Sequence, residues 1–346
     1  MAAFSFKPSV TVREVARSAG VSIATVSRVL NRTRVGIPIS EATRVKVLES
    51  ARQLGYRANT FARSLRTQTS QTVGLVVQDI RDPFFSEIIA GLEQAASELG
   101  YFYLLSSAAD SARREEQYLD IFHINRVDGI LAAGVPEQLT DAAAVQLTEA
   151  GVPVVLIGRT IKDHRIGSVC VDNPLGTRLA MKHLLDLGHV RIGHLAGLSS
   201  KPDARVRFET YRRSLERAGL AYDPALVVEG QSRPEDGYAG MRRLLALAKP
   251  PTAVFCYSDL LALGALKAAR EAGFAAPGKL SVIGFDDLDL CRFTEPELTT
   301  VRQPRFEMGY EAMKLFVRMD RKPKEAEAMV LKPELVVRGS TERRKS

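Results

Sequence analysis

Short apolar runs rich in β-branched residues alternate with amphipathic segments of helical length over most of this 346-residue chain. This alternation predicts parallel sheets covered by helices. Glycine closes the helical segments directly before the next apolar run, as in αβ connections; the pairs are Leu99-Gly100, Ala150-Gly151, Leu187-Gly188, Ala218-Gly219 and Ala272-Gly273. The predicted strands are 73–77, 101–105, 128–133, 152–158, 191–197, 253–257, 280–285 and a last one within ELVVRGS. A change of pattern near GSVCVDNPLG predicts two similar α/β lobes, with ligands bound between them.

The net positive charge lies in the first fifth of the chain. Residues up to Gln71 include 12 Lys+Arg and 3 Asp+Glu, which leaves 36 and 37 of the whole-chain 48 and 40 for the rest. The basic residues are interleaved with periodic apolar ones, so this segment can fold. A folded basic module beside a neutral body indicates a polyanionic partner, most often nucleic acid. A solvated basic tail is the alternative.

Three short helices are predicted in the basic segment. A capping box between Thr11 and Glu14 begins the first, Ser22 is a good N-cap for the second, and the third runs from Ser40 to Gly55. The inward-facing residues are expected to be Val12, Val15 and Ala16, then Val26, Val29 and Leu30, then Val45, Leu48 and Leu54.

The first two helices and their glycine-containing turn form a helix-turn-helix pattern. The second helix begins with small residues, which allow its N-terminal end to enter a major groove. Its outer side carries hydroxyls suited to phosphate oxygens, on Ser22, Thr25 and Ser27, and apolar groups suited to a thymine methyl, on Ile23 and Ala24. Arg28 can make a bidentate contact to guanine. A packing or protein-binding module is the alternative for a three-helix unit.

The runs TVREVARSAGVSIATVSRVLN, SEATRVKVLESARQLGY and NTFARSLRT resemble the DNA-binding head of the lactose-repressor (LacI/GalR) family of bacterial transcription factors. In the body, DPFFSEIIAGLEQAASELGY, HLLDLGHVRIGHLAG and LSVIGFDDLDL follow in family order. The resemblance implies an N-terminal three-helix helix-turn-helix head with a hinge helix, then a two-lobed α/β periplasmic-binding-protein-like domain. We expect the head at 1–58, the hinge at 59–71 and the effector-binding and dimerisation domain at 72–346. The chain is expected to return to the first lobe after about Gln303 and to place its last strand in the second.

The resemblance also implies which residues contact DNA. Leu65 is the expected minor-groove wedge of the hinge, Ala62 allows paired hinge helices to approach, and Arg63 meets phosphate. The full expected set is Thr11, Ser22, Ile23, Ala24, Thr25, Ser27, Arg28, Asn31, Tyr56, Ala62, Arg63 and Leu65. Two departures from the family pattern are a longer loop at 32–39 and Ala58, where relatives usually have proline.

Effector contacts are implied for residues near strand ends. Asp286 matches the family's effector-binding acid, for which an ordinary loop or N-cap carboxylate is the alternative. Arg207 matches its effector arginine, although Thr210 replaces the glycine of that motif. The full expected set is Phe84, Phe85, Arg159, Lys201, Asp203, Arg207, Ser258 and Asp286. Core packing is the alternative for Phe85, and Ser258 stands where sugar-binding relatives commonly have asparagine.

These features predict a DNA-binding transcriptional regulator, most often a repressor, that works as a homodimer on a pseudo-palindromic operator. A sugar-like or anionic effector is expected, with no cofactor. The alternatives are a sugar- or nucleotide-processing enzyme and a solute-binding sensor, but the chain lacks G-x-x-x-x-G-K-[ST], G-x-S-x-G and a G-x-G-x-x-G at the first βα turn. His189 and His194 are five residues apart, a poor spacing for metal binding on one helical face. Three cysteines without paired spacing and no secretory signal favour the cytoplasm.

Overall fold

The chain divides into two compact units, Met1–Ser70 and Gln71–Ser346, in the computed structural model. The structure describes residues 10–30, 38–56, 69–108, 111–124, 126–134, 141–321 and 327–344. None of the helices within these ranges is long and apolar enough to cross a membrane. Residues 59–68 of the hinge predicted at 59–71 lie outside the described residues.

The first unit contains the three predicted helices, α1 (Val12–Ala19), α2 (Ile23–Leu30) and α3 (Glu41–Gln53). The capping box of α1 is confirmed, because the Thr11 hydroxyl accepts from the Glu14 N–H and the Glu14 carboxylate accepts from the Thr11 N–H at 2.7 Å. The core of the unit consists of Val15, Ala16, Ala19, Val26, Val29, Val47 and Ala51, with Val12 and Leu30 packed against it. The inward faces predicted for α1 and α2 are therefore confirmed.

The inward face predicted for α3 is wrong. Val45 and Leu48 are 44% and 48% exposed, and Leu54, beyond the last helical residue, is 39% exposed. The buried face is instead set by Val47 and Ala51, which are four residues apart. Val45 lies about 200° around the helix from Val47 at 100° per residue. The face of α3 that packs against α1 and α2 is therefore set by position around the helix and not by the size of the apolar side chains.

The second unit contains two six-stranded sheets, each the centre of one lobe. The first sheet is wholly parallel, in the order β11-β5-β4-β3-β1-β2. Its strands are β1 (Thr72–Val77), β2 (Phe102–Ser107), β3 (Ile130–Ala133), β4 (Val154–Ile157), β5 (Gly167–Val171) and β11 (Ala328–Leu331). Its helices are α4 (Phe84–Leu99), α5 (Ala112–Ile124), α6 (Asp141–Glu149) and α11 (Arg305–Arg321).

The second sheet has the order β12-β10-β9-β8-β6-β7, and only β12 runs antiparallel to its neighbour. Its strands are β6 (Ile192–Gly197), β7 (Val227–Gly230), β8 (Ala253–Cys256), β9 (Ser281–Asp286), β10 (Thr299–Arg302) and β12 (Glu334–Val336). Its helices are α7 (Asn173–Asp186), α8 (Pro202–Arg217), α9 (Pro234–Leu245) and α10 (Asp259–Glu271). The five glycines predicted to end helices all have a positive φ there.

The predicted return of the chain to the first lobe is confirmed, because α11 packs in the core of the first lobe and β11 pairs with β5. The last strand joins the second sheet, also as predicted. Sequence reasoning missed β5, β7, β10 and β11. Strands β5, β7 and β10 contain Gly, Ser, Glu, Thr or Arg, so none of the three forms a continuous apolar run. Strand β11 is apolar but only four residues long, and it lies partly exposed at the edge of its sheet.

Candidate functional sites

The N-terminal end of α2 presents an exposed surface of small and polar residues. Ile23 is 50% exposed, and Ser22 and Ala24 are also exposed. The Ser22 hydroxyl accepts from the Thr25 N–H at 3.1 Å and lies 2.9 Å from the Thr25 hydroxyl, so it caps the helix. This end of α2 is therefore accessible to a partner surface.

The other predicted DNA-binding residues occupy different positions. Ser27 and Arg28 are half-buried on α2, and Tyr56 packs against the core of the first unit. The Thr11 hydroxyl also donates to Glu14 at 2.8 Å, and hydrogen bonds from Thr11 lower the pKa of Glu14. The remaining predicted residues, Asn31, Ala62, Arg63 and Leu65, lie outside the described residues.

A cavity of about 680 Å³ lies between the two lobes of the second unit. Its walls come from the carboxyl ends of strands in both sheets, where ligands bind in open α/β folds. All eight predicted effector residues line it: Phe84, Phe85, Arg159, Lys201, Asp203, Arg207, Ser258 and Asp286. The fold thus brings together residues that are up to about two hundred positions apart in the chain.

The first-lobe wall carries two aromatic rings. Phe84 and Phe85 meet edge to face, with ring centroids 5.2 Å apart. Phe85 packs in the core of the first lobe and also lines the cavity. Phe84 is half-buried and packs against the cores of both lobes. Arg159, also on this wall, is buried and forms an ion pair with Asp141.

Arg207 is the polar centre of the second-lobe wall. It is buried, donates through Nε to Asn173 Oδ1 at 2.8 Å, and donates to the Tyr257 carbonyl oxygen. Its guanidinium carbon lies 3.6 Å from the centroid of the Phe285 ring, a cation–π distance. These contacts hold the guanidinium in one orientation at the cavity.

Asp203 has an unused acceptor at the same wall. Its Oδ2 accepts from the Tyr257 hydroxyl at 2.6 Å and lies 3.9 Å from Arg207. Its Oδ1 is buried and has no hydrogen-bond partner among the described residues. Burial, together with the Asp203 charge, raises the pKa of Tyr257, so the phenol stays protonated and donates. A buried acceptor without a partner is costly, and a ligand donor would satisfy it.

Asp286 is the last residue of β9 and has an unusual backbone, with φ 130°, a value that residues with side chains rarely adopt. Its Oδ1 accepts from Gln303 Nε2 at 2.7 Å. Burial first, and then the nearby Asp259 charge, raise its pKa well above the ordinary value. The strained turn fixes the carboxyl at the cavity, where it can donate or accept a hydrogen bond according to its protonation.

Ser258 and Lys201 begin helices at the cavity. The buried Ser258 hydroxyl accepts from Ser232 at 2.7 Å and from the Leu261 N–H at 3.4 Å, so it caps α10. Lys201 is half-buried at the N-cap of α8 and makes no side-chain capping bond. Its positive charge acts against the burial that raises the pKa of Asp82.

The cavity residues that make polar contacts but were not predicted as site residues include Asn173, Tyr257 and Gln303. Each lies one or two residues after a strand, namely β5, β8 and β10. That position is a usable signal in an α/β fold. It could not be applied to Asn173 and Gln303 because β5 and β10 were not recognised, and Tyr257 was assigned to the strand itself.

His189, which precedes β6, and His194, which lies within it, both make contacts within the second lobe. His194 is fully buried, hydrogen-bonds through Nδ1 to the Phe255 carbonyl oxygen at 2.9 Å, and stacks on the Phe255 ring. Burial lowers its pKa to about 4. His189 hydrogen-bonds to Thr252 and Ser281 at 3.0 Å. Across the described parts of the chain, no group of three or more His, Cys, Asp or Glu side chains could hold a metal ion.

Comparison with known families matches both units. Residues 11–59 match the family "Bacterial regulatory proteins, lacI family", and residues 181–341 match a periplasmic binding protein-like domain. The chain is 38% identical over 332 residues to the HTH-type transcriptional repressor CytR of Escherichia coli K12, with 96% of each chain covered. It is 35% identical over 336 residues to the repressor PurR of Pasteurella multocida, with 96% of this chain and 99% of PurR covered.

Solved structures agree with this match. The Lac repressor dimer bound to operator and the anti-inducer ONPF is 28% identical, with a TM-score of 0.86 over 96% of this chain and 99% of that chain. The transcriptional regulator CelR in complex with cellobiose is 35% identical, with a TM-score of 0.72 over the same shares. The expected fold class, a helix-turn-helix head followed by a two-lobed α/β domain, is confirmed.

Proposed function

Because the chain belongs to the lacI family of bacterial regulatory proteins and is a DNA-binding transcriptional regulator, we propose that it is a repressor controlled by a sugar-like effector bound between its lobes. The observation that carries this proposal is the 38% identity to a repressor across the whole chain, which spans both units. The relatives compared above are transcriptional repressors or regulators. In this proposal the protein likewise acts by binding and not by catalysis, and it does so in the bacterial cytoplasm.

The first unit supplies sequence recognition in this proposal. The proposed domains are a DNA-binding head at 1–58, a hinge at 59–71 and an effector-binding and dimerisation domain at 72–346. The exposed start of α2 enters the major groove, where its hydroxyls meet phosphates and Arg28 contacts a guanine edge. The hinge enters the minor groove, with Leu65 between two base steps, Ala62 at the contact of the two hinges, and Arg63 on phosphate.

The cavity supplies the effector site. Its polar lining offers a charged donor on Arg207, an unsatisfied acceptor on Asp203 and a carboxyl on Asp286, between the aromatic rings of the opposite wall. Alternating hydroxyls on a ring with apolar faces match this lining, so the effector is a sugar or a sugar derivative. The relative solved with cellobiose binds a ligand of this class.

A second copy of the chain completes the regulator. Strand β2 lies at the edge of the first sheet and exposes Phe102, which is 70% exposed, together with Leu104 and Leu105. An apolar edge strand of this kind is a pairing surface that a monomer would leave open to solvent. We therefore place a homodimer contact there, which lets two heads occupy the half-sites of a pseudo-palindromic operator.

Selection of binding sites from random duplex DNA by the full chain, at one fixed salt concentration, tests DNA recognition. The expected product is a motif of two half-sites related by a two-fold axis. Enrichment without any shared motif would show that the head binds DNA only through its charge.

A thermal-shift screen of sugars, sugar acids, phosphosugars and purines tests the effector site. A ligand at 100 times its Kd stabilises the folded chain by about 2.7 kcal/mol. The shift is expected to vanish in Arg207→Ala and to persist in the control Arg270→Ala, an exposed arginine on α10. A hit that stabilises Arg207→Ala equally binds elsewhere and contradicts the assignment.

A further inference from the structure

A second concave site lies on the second lobe, between α7 and α8. It has a volume of about 320 Å³ and includes Pro174 of α7 and Glu209 of α8 in its walls. Four guanidinium groups surround it, from Arg178 on α7 and Arg205, Arg213 and Arg217 on α8. We call this site the arginine groove. Arg207 of the same helix is not part of its lining and faces the effector cavity instead.

The positive charge of the arginine groove is not compensated by the protein. Arg178, Arg205, Arg213 and Arg217 are exposed, and none has a carboxylate within ion-pair distance in the described residues. The acidic residue of the groove, Glu209, is 3.0 Å from Arg212.

Helical spacing makes this concentration of charge unfavourable for the free protein. Arg213 and Arg217 are four residues apart, so they are neighbours of like charge on one face of α8. The chain after Gln71 carries 36 Lys+Arg and 37 Asp+Glu, so a basic groove is not a general property of this domain. An anion between the helices would remove the repulsion.

The chemistry of the walls indicates which anion fits. Guanidinium forks match phosphate and carboxylate oxygens through paired hydrogen bonds. The hydroxyls of Thr210 and Ser214 donate to carbonyl oxygens of α8 at 2.7 Å, so recognition depends on the arginines. The volume is at the lower end of small-ligand sites. We propose that the arginine groove binds a compact anion carrying two or more phosphate groups, as a second ligand site that goes beyond the effector cavity.

The groove is placed to influence the cavity. Asn173, the first residue of α7, lines the cavity and accepts from Arg207 of α8 at 2.8 Å, and the next residue, Pro174, lines the groove. An anion that bridges the two helices therefore acts on the same helix pair that holds Arg207. Two ligands on one helix pair can change each other's affinity.

Titration calorimetry with inorganic tripolyphosphate, on the full chain at constant ionic strength, tests the proposal. The basic head also attracts polyanions, so the comparison is between variants that share an unchanged head. In the double variant Arg213→Gln/Arg217→Gln we expect one fewer bound tripolyphosphate per chain, or an affinity for this site lower by at least about tenfold. Arg178→Gln, on the opposite wall, is expected to weaken the same site.

The matched control is Arg242→Gln/Arg243→Gln, which removes the same charge from two exposed arginines of α9. This control is expected to bind like the wild type, and tripolyphosphate is expected to slow hydrogen exchange in α7 and α8 of both. Equal binding by the wild type and Arg213→Gln/Arg217→Gln would overturn the proposal. An equal loss in the control, or binding without slower exchange in α7 and α8, would overturn it as well.

Discussion

Arg207 differs from the other arginines of α8 because of what surrounds it. It is buried against Phe285 and bonded to Asn173, whereas Arg205 and Arg213 on the same helix are exposed. Burial of an arginine is tolerated only where its donors are satisfied. Its sequence position alone would place it on a solvated helix face, and only the family resemblance singled it out.

At the scale of single residues, the first prediction concerns Arg28. Replacement by alanine should cost about 1–3 kcal/mol of binding free energy on the selected operator and little on random DNA, because the proposed bidentate contact to guanine would be lost. Competition gel shifts at one salt concentration measure both affinities. Equal losses on the two DNAs would show that Arg28 contacts phosphate alone.

His194 gives a prediction for pH. Burial lowers its pKa from 6.5 to about 4, so the folded chain keeps the ring neutral while the unfolded chain protonates it below pH 6.5. The contribution of the neutral His194 to the free energy of unfolding is fully present above pH 6.5 and is lost as the pH falls towards 4. At about 1.4 kcal/mol per pH unit, the total loss is about 3 kcal/mol.

Urea denaturation at pH 7, 5 and 4 measures this loss. His194→Asn retains a donor for the Phe255 carbonyl oxygen but does not titrate, so its stability should fall less over the same range. The pKa of the partly buried His189 is also lowered, and this residue is unchanged in the variant. Parallel pH profiles for the two proteins would refute the role of His194.

At the scale of elements, the contact between α4 and α11 depends on glycine. A Cβ at Gly309 would meet the Ile88 carbonyl oxygen, and one at Gly91 would meet that of Phe306. Two helices can therefore approach closely only without side chains at these points, and the return of α11 to the first lobe depends on that approach.

Gly309→Ala is expected to lower the free energy of unfolding by about 1–3 kcal/mol, since the clash is with backbone that cannot move aside. Gly278→Ala is the control, because a Cβ there would be 3.8 Å from the Ala275 carbonyl oxygen. Thermal and urea denaturation of both variants measure the difference. A neutral Gly309→Ala would show that α11 can shift along α4.

The hinge is the second element with a prediction, and it rests on the sequence alone. NTFARSLRT is too short to persist as an isolated helix, so its order should depend on DNA and on the paired copy. Leu65→Ala should weaken operator binding and reduce DNA bending, because the proposed minor-groove wedge would be lost. Effector affinity and dimerisation should stay near normal, and unchanged bending would contradict the role of Leu65.

At the scale of the whole molecule, we expect the two units to carry separate functions. Removal of residues 1–67 is expected to abolish operator binding but to leave effector binding and dimerisation intact, since the cavity and β2 belong wholly to the second unit. Sedimentation and gel shifts measure the outcome. Retained operator affinity in the truncated chain would show that the head is not the DNA-binding unit.

The sequence by itself determined the features that depend on residues close together in the chain. The capping box at Thr11, the glycine after each helix and the apolar runs of β1, β8 and β9 are local signals, and they identified the three helices and both sheets. The family motifs added the chain order of the lobes and the eight residues that line the cavity.

Only the tertiary structure decided which residues meet. Strands β7 and β11 are strands because a neighbour offers hydrogen bonds, and the buried face of α3 follows from contact with α1 and α2. Asn173 contacts Arg207 across 34 residues, and Tyr257 contacts Asp203 across 54. Packing and long-range hydrogen bonds depend on three-dimensional proximity, which no periodicity along the chain encodes. The arginine groove has the same origin, because α7 and α8 form it only when they pack side by side.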